Sequence, residues 1–218
     1  MMCDNTTTTQ KEIVFEHPMS EETRIFLCLE TLFIELNHTS AQSEPLQALT
    51  TLLKIINILD RPDIKNKICQ RLNLYATSLN QLKQFKQVDL EKLEHILGKI
   101  DALKNQLHQQ SLRFAENLKR TDFLGHLRQH VALPGGLAYH NSYALKTWLH
   151  QPVNKQLQDI HYWTQQLSTL EDSIMLILKL TRQTTDRIRA VAENGYFEKT
   201  LNTNLPLGLV RVVTHQNT

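Results

Sequence analysis

Two histidines spaced four residues apart, His126 and His130, have the residue type and the spacing of a metal ligand pair. On an α-helix, residues i and i+4 lie on one face, so both imidazoles could bind a single Zn²⁺. They could equally be two solvated basic side chains beside Arg128, and we find no Glu or Asp on that face to complete a ligand set. We therefore expect no metal site, and no other motif of the sequence indicates a cofactor.

A second candidate for chemistry is the run Pro134-Gly135-Gly136, in a sequence with only six glycines and six prolines. Proline lacks a backbone N–H and glycine reaches positive φ, so this run predicts a tight reversal of the chain. It lacks the Lys-Ser/Thr that completes a P-loop, and no GxGxxG occurs in the sequence. The run is therefore predicted to be a turn between two helices and not a phosphate-binding loop.

Nucleophilic catalysis has no local support in this sequence. The three cysteines, Cys3, Cys28 and Cys69, form no CxxC pair, and no GxSxG motif is present. An odd number of dispersed cysteines favours a reducing compartment. The polar start is not a signal peptide, and no apolar run approaches the roughly 18 residues of a membrane span. We expect a cytoplasmic protein that is neither an enzyme nor inserted in a membrane.

The short segment after the turn carries Trp148 and His150. Trp148 follows Leu145 by three positions, which is typical of a half-buried core residue, although the indole could also line a binding surface. We expect the turn to place this segment beside the helix that carries Arg128 and His130. The two helices would then form one wall of a protein-binding surface.

Apolar residues recur at helical spacing through most of the chain. The predicted helices cover approximately residues 20–37, 45–59, 64–82, 90–107, 112–118, 122–131, 142–150, 153–167 and 170–189. The fourth has nearly heptad spacing from Leu90 to Leu107, a seam that could face a second chain but that we expect to be buried inside the bundle.

The two ends of the sequence have strand patterns instead. Residues 11–17 alternate, with Ile13 and Phe15 on one face, and residues 209–213 are β-branched around a central arginine. Asn194-Gly195 is a turn dipeptide. The predicted fold is therefore mostly α, a multi-helix bundle with a small antiparallel β domain formed by the N-terminal and C-terminal segments. We expect a disordered leader at residues 1–10, a helical domain at 20–190, and a β domain made of 11–18 plus 191–218.

The charge distribution does not favour a general nucleic-acid-binding protein. The net charge is +2; residues 1–109 carry 12 Lys+Arg against 14 Asp+Glu, and residues 110–218 carry 12 against 8. This asymmetry favours a local basic surface for one acidic partner over a dense basic stripe. The alternative that stays open is a basic helical adaptor for nucleic acid that uses Lys119, Arg120, Arg128, Arg187 and Arg189.

Three blocks of sequence carry a resemblance to a known family. They are IVFEHPMSEETR from Ile13 to Arg24, LPGG and LKTWLHQP between Leu133 and Pro152, and ENGYFEKTL from Glu193 to Leu201. In this order and spacing they resemble the ZapD family, cytosolic accessory proteins of bacterial cell division that bind the tubulin-like FtsZ. None of the three is a catalytic motif.

The resemblance implies a homodimer that binds the C-terminal tail of FtsZ and bundles FtsZ filaments, which would stabilise the division ring at mid-cell. It implies that basic side chains contact the tail, although each could also be a solvated helix-surface residue. The matching positions are Arg24, Arg61, Lys65, Arg128, His150 and Arg182. Similar family members continue past residues 209–213 into another basic strand, so we expect the β domain to be incomplete at its C-terminus.

Overall fold

Helices dominate the chain. The computed structural model describes residues 12–85, 88–109, 115–131, 133, 135–139, 142–183, 188–200 and 208–215. The elements are β1 (Glu12–Pro18), α1 (Glu21–Ala41), α2 (Pro45–Ile58), α3 (Ile64–Leu82), α4 (Leu90–Gln109), α5 (Glu116–Arg120), α6 (Asp122–Leu127), a 3-10 turn (Gly136–Tyr139), α7 (Tyr143–Leu149), α8 (Val153–Gln165), α9 (Ser168–Gln183) and β2 (Leu209–His215). The predicted fold class is confirmed, because helices form the body and the two terminal strands pair with each other.

The core is centred on α2, whose residues Leu49, Leu52, Leu53, Ile55 and Ile56 are completely buried. This helix packs against α1 on one side and α8 on another. Each fully buried aliphatic side chain contributes about 1.5–3 kcal/mol of transfer free energy. Because a helix that is apolar on most faces must be surrounded by other elements, the turn that follows it is held at a fixed place.

The heptad-like series of α4 is buried within the chain from Leu93 onward, as predicted, whereas its first member, Leu90, is 53% exposed. Its buried members are Leu93, Leu97, Ile100, Leu103 and Leu107. They face α3 and α9, the two helices that α4 contacts. The seam therefore belongs to the core of the single chain.

The start of α1 shows why the chain turns from strand to helix at this point. Ser20 has an extended backbone, and its hydroxyl accepts a hydrogen bond from the Thr23 amide at 3.1 Å. Glu21 and Glu22 lie in the first turn, where carboxylates interact favourably with the positive end of the helix dipole. This cap fixes the position of Glu21, which matters for the site described below.

The two terminal strands form a two-stranded antiparallel sheet in which Phe15 lies opposite Val212 and Glu16 opposite Arg211. One face of the sheet points towards the helices and carries Glu16. The other face leaves Phe15 59% exposed and Val212 51% exposed. The strand prediction is confirmed, and it is the charged face of β1 that contacts the helical body.

The structure confirms the predicted glycine turns but not the predicted ends of two helices. Gly135 has φ 84° and Gly195 has φ 79°, which confirms both glycine turns. The last helix is described as far as Gln183, and residues 184–187 lie outside the described part of the chain. The prediction extended this helix to about Arg189, but residues 188–190 are not helical and Ile188 is 72% exposed. Likewise α6 ends at Leu127 and not at residue 131.

Several features of the sequence lie outside the described residues. These are the leader at 1–10, Pro134 of the glycine turn, residues 112–114 of the predicted fifth helix, and Arg187. Across the part of the chain that is described, no helix combines the length and the apolar character needed to cross a membrane.

Candidate functional site: a basic surface at the α2–α3 turn

The turn between α2 and α3 brings Arg61 to the first turn of α1. Glu21 accepts hydrogen bonds from Nε and Nη2 of Arg24, at 2.7 and 2.6 Å, and from Nη1 of Arg61 at 3.0 Å. These hydrogen bonds, that of Arg24 first, lower the pKa of the Glu21 carboxyl from 4.5 to about 2. One carboxylate therefore holds two guanidinium groups from different elements side by side.

Asp60, the residue before Arg61, bridges two basic side chains in the same way on the other side of the α2–α3 turn. Asp60 accepts a hydrogen bond from the Lys119 ammonium through Oδ1 and another from Nη1 of Arg128, at 2.7 Å, through Oδ2. The hydrogen bond from Lys119, followed by that from Arg128, lowers the pKa of the Asp60 carboxyl. The Arg128 backbone is also fixed, because its carbonyl oxygen accepts a hydrogen bond of 3.1 Å from the Asn57 side chain.

We call Arg24, Arg61, Lys119 and Arg128, together with their bridging carboxylates Glu21 and Asp60, the basic surface. Two consecutive residues, Asp60 and Arg61, connect its two halves. Next to Lys119 and Arg128 lies an open depression of about 410 Å³ whose other lining residues are Asp122, Gly125, His126 and Gln129. Four basic side chains against two bridging carboxylates leave the surface with an excess of positive charge.

The six residues implied by the resemblance lie in four places. Arg24, Arg61 and Arg128 meet in the basic surface. Lys65 follows in the first turn of α3, where it is only 8% exposed. His150 lies at the end of α7, exposed, and its Nδ1 donates to the Lys146 carbonyl oxygen at 2.7 Å. Lys119, Glu21 and Asp60 were missing from the set. The signal for Asp60 was its place beside Arg61 in a break between two helices.

Arg182, the sixth residue, anchors the sheet to the helices. Its Nε and Nη2 donate to Glu16 of β1, both at 2.8 Å, and its Nη1 and Nη2 donate to Glu30 of α1, both at 2.6 Å. Arg211 of β2 pairs with Glu16 at 2.8 Å. The hydrogen bonds that Arg182 donates to Glu30 and then to Glu16 raise the pKa of Arg182. One partly buried guanidinium therefore ties β1 to α1 and α9.

This ion cluster predicts acid sensitivity of the sheet. The hydrogen bond from Arg182 is the main reason why the pKa of Glu16 lies below its ordinary value of 4.5. Glu16 of the unfolded chain therefore binds its proton at a higher pH than Glu16 of the folded chain does. The stabilisation by this carboxylate is complete above pH 4.5, and it is lost as the pH falls through the lowered pKa of the folded state. We expect the free energy of unfolding to fall over this range in urea titrations. Glu16→Gln should flatten that dependence, and an unchanged slope would contradict the prediction.

The rings of the histidine pair lie close together, with centroids 5.3 Å apart, although His126 is on α6 and His130 is in the turn that follows it. The expectation that no carboxylate lies on the face of His126 is wrong, because Asp122 lies one turn before it and lines the same depression. Over the described residues, no group of three His, Cys, Asp or Glu side chains is arranged to hold a metal.

Trp148 belongs to the core. It is 5% exposed, its ring lies 5.7 Å from that of Phe123 and 6.3 Å from that of Trp163, and its Nε1 donates to Asp159 at 3.0 Å. The glycine turn does place α7 against α6, as expected. The indole nevertheless faces inward, so Trp148 is not part of an exposed binding wall.

Comparison with known proteins identifies the family. The model of the ZapD family, described as a cell division protein, matches residues 27–218. A cell division protein ZapD of Coxiella burnetii (strain RSA 493 / Nine Mile phase I) is 32% identical over 204 residues, which are 92% of this chain and 79% of that relative. One of Vibrio cholerae serotype O1 (strain M66-2) is 30% identical over 187 residues, 84% of this chain and 76% of the relative.

A more distant relative, the cell division protein ZapD of Ralstonia nicotianae (strain ATCC BAA-1114 / GMI1000), is 28% identical over 193 residues, 87% of this chain and 77% of its own length. The family match begins at residue 27, so it includes Asp60, Arg61, Lys119 and Arg128 of the basic surface, whereas Glu21 and Arg24 precede it. The family resemblance inferred from the three sequence blocks is therefore confirmed. This chain belongs to the ZapD family of cell division proteins.

Proposed function

We propose that this chain binds the C-terminal tail of FtsZ through the basic surface and, as a homodimer, crosslinks FtsZ filaments at the division ring. Its membership in a family of cell division proteins supports a role in division. The observation that carries the proposal is the convergence of Arg24, Arg61, Lys119 and Arg128 on a single turn, from three separate stretches of the chain.

The chemistry of this surface suits a peptide with carboxylates. Guanidinium carries five N–H donors, and Arg61 and Arg128 each use only Nη1 in their ion pairs with Glu21 and Asp60. The remaining donors can hold carboxylates of a partner through charge-assisted hydrogen bonds, which are stronger than neutral ones. The open depression beside Arg128 would take apolar or polar side chains of the same peptide.

Crosslinking follows from having two such surfaces in one dimer. FtsZ filaments repeat the tail along their length, so binding of one tail raises the effective concentration of the next for the second surface. A modest affinity for each tail then suffices for bundling. The proposed role is binding without catalysis, in the cytoplasm at mid-cell.

The proposal is tested by sedimentation of FtsZ filaments. We expect the protein to increase the pelleted fraction of full-length FtsZ, and we expect no increase with FtsZ that lacks its C-terminal tail. An excess of free tail peptide should reverse the bundling, because it occupies the basic surfaces. Bundling that is independent of the tail, or no bundling by a protein that binds DNA with a steep salt dependence, would refute the proposal in favour of the nucleic-acid adaptor.

A further inference from the structure

We propose that Glu21 and Asp60 are specificity-determining residues of the basic surface, because a partner carboxylate that binds the Nε/Nη2 edge of Arg24 or the Nη1 of Arg128 must first displace one of them. The inference rests on the proposed function in that the partner is an acidic peptide. It adds that the chain itself supplies a competitor at each half of the surface, and that this competition sets which anions can bind.

The geometry at Arg24 shows the competition most directly. The edge formed by Nε and Nη2 is the edge that recognises carboxylates through two parallel hydrogen bonds, and both of its nitrogens already donate to Glu21. A partner carboxylate can reach that edge only after Glu21 has left it. Departure is cheap, because both side chains are more than half exposed, and exposed ion pairs contribute little to stability.

In the other half of the basic surface Asp60 also holds two basic side chains, but these differ in how far they are exposed. Asp60 holds Lys119, whose side chain is 12% exposed, through one oxygen, and Arg128, whose side chain is 25% exposed, through the other. The more covered Lys119 keeps Asp60 close to the surface, while Arg128 is the cation that a partner can approach. Release of the Arg128 contact alone would therefore open this half.

Both internal carboxylates stay charged at neutral pH, since the hydrogen bonds from their basic partners lower their pKa values. The competition is therefore constant across physiological pH. A partner carboxylate that replaces one of them forms one ion pair and breaks another.

Selectivity follows from this exchange. An isolated carboxylate gains little, because it replaces an equivalent internal group. A peptide with carboxylates spaced to reach both halves replaces Glu21 and the Arg128 contact of Asp60 together, and its second contact forms at high effective concentration. The surface should thus reject single anions and accept acidic segments.

The test measures affinity after removal of each competitor. Glu21→Gln and Asp60→Asn keep the shape and the acceptor oxygen but remove the charge. We expect each to tighten binding of a fluorescent FtsZ tail peptide by about two- to fivefold at constant ionic strength, which is the range for exposed ion pairs. The matched control is Glu94→Gln on the exposed face of α4, which changes net charge equally and should leave affinity unchanged.

An oligoglutamate peptide, titrated in parallel, separates the two proposals. Binding of oligoglutamate but not of the tail refutes the proposed function, and the two amide variants are then judged on oligoglutamate. Suppose that the wild type binds one of the peptides, and that both variants bind that peptide with the same affinity as the wild type or more weakly. The two carboxylates then only position the basic side chains, and the proposed competition is refuted. Equal tightening by Glu94→Gln would show a net-charge effect and refute it as well, and so would binding of neither peptide.

Discussion

Arg128→Glu is expected to weaken binding of the FtsZ tail peptide by about ten- to a hundredfold, the equivalent of a lost charge-assisted hydrogen bond of about 1.5–3 kcal/mol. The substitution removes a donor, and it places a new carboxylate next to Asp60, where it repels an acidic peptide. Because repulsion between exposed charges is screened by salt, the effect should be larger at low salt than at high salt. Titration of a fluorescent tail peptide at two salt concentrations measures both quantities.

A matched control for this charge reversal is Arg120→Glu. Arg120 lies on α5, is exposed and pairs with Glu116 at 3.5 Å, outside the basic surface. It should bind the tail with nearly wild-type affinity. Arg128→Lys should fall between the two, since lysine keeps the charge but loses the planar fork. Equal weakening by Arg120→Glu and Arg128→Glu would mean that only the net charge of the chain matters.

Arg182→Met is expected to lower the free energy of unfolding by about 2–4 kcal/mol, because it leaves two partly buried carboxylates without their shared guanidinium. Glu30 and Glu16 keep only 14% and 19% of their side chains exposed, so water cannot replace the lost hydrogen bonds fully. Methionine preserves most of the aliphatic volume. Urea unfolding gives the stability, and hydrogen exchange of the β1 and β2 amides should show that the loss is concentrated in the sheet.

Two further variants make this prediction specific. Glu30→Gln in the Arg182→Met background should recover part of the stability, since it removes one of the uncompensated charges. Arg24→Met, which breaks an ion pair whose side chains are more than half exposed, should change stability far less. A loss below about 0.5 kcal/mol for Arg182→Met would show that the sheet is held by other contacts. We expect any effect of Arg182 on tail binding to arise through the sheet, because internal carboxylates already occupy its donors.

Local patterns were sufficient for the helical body. The Leu93 to Leu107 series predicted α4 and its burial, and Ser20 followed by two glutamates predicted the start of α1. Periodicity could not locate the end of α9, because the apolar residues at Ile188 and Val191 continue in the sequence after the core has ended. Whether an apolar residue is buried depends on what lies opposite to it, and that information is not local.

The sheet illustrates the same limit. Alternation predicted β1, but not that Glu16 would face the helices while Phe15 faces solvent. That choice depends on Arg182 and Arg211, which lie at the other end of the sequence. A carboxylate can turn inward only where cations meet it, and their position follows from the completed fold.

Only part of the candidate site could be predicted from the sequence. Arg24, Arg61 and Arg128 were named because of a family resemblance, and spacing alone would have treated them as solvated. The bridging carboxylates are distant in sequence from the arginines they hold, since Glu21 lies 40 positions from Arg61 and Asp60 lies 68 positions from Arg128. Trp148 beside His150 suggested a binding wall, yet its indole packs on Phe123 and Trp163, contacts that only the tertiary structure reveals.

The pairing of β1 with β2 also sets an order of events on the ribosome. β1 is synthesised before the described helices, yet its partner strand β2, in which His215 lies opposite Glu12, is synthesised after all of them. Arg182 and Arg211, which neutralise Glu16, also emerge late. Every residue of the basic surface, through Arg128, has been made long before. The nascent chain therefore carries all of its proposed FtsZ contacts while its first strand is still without a partner strand.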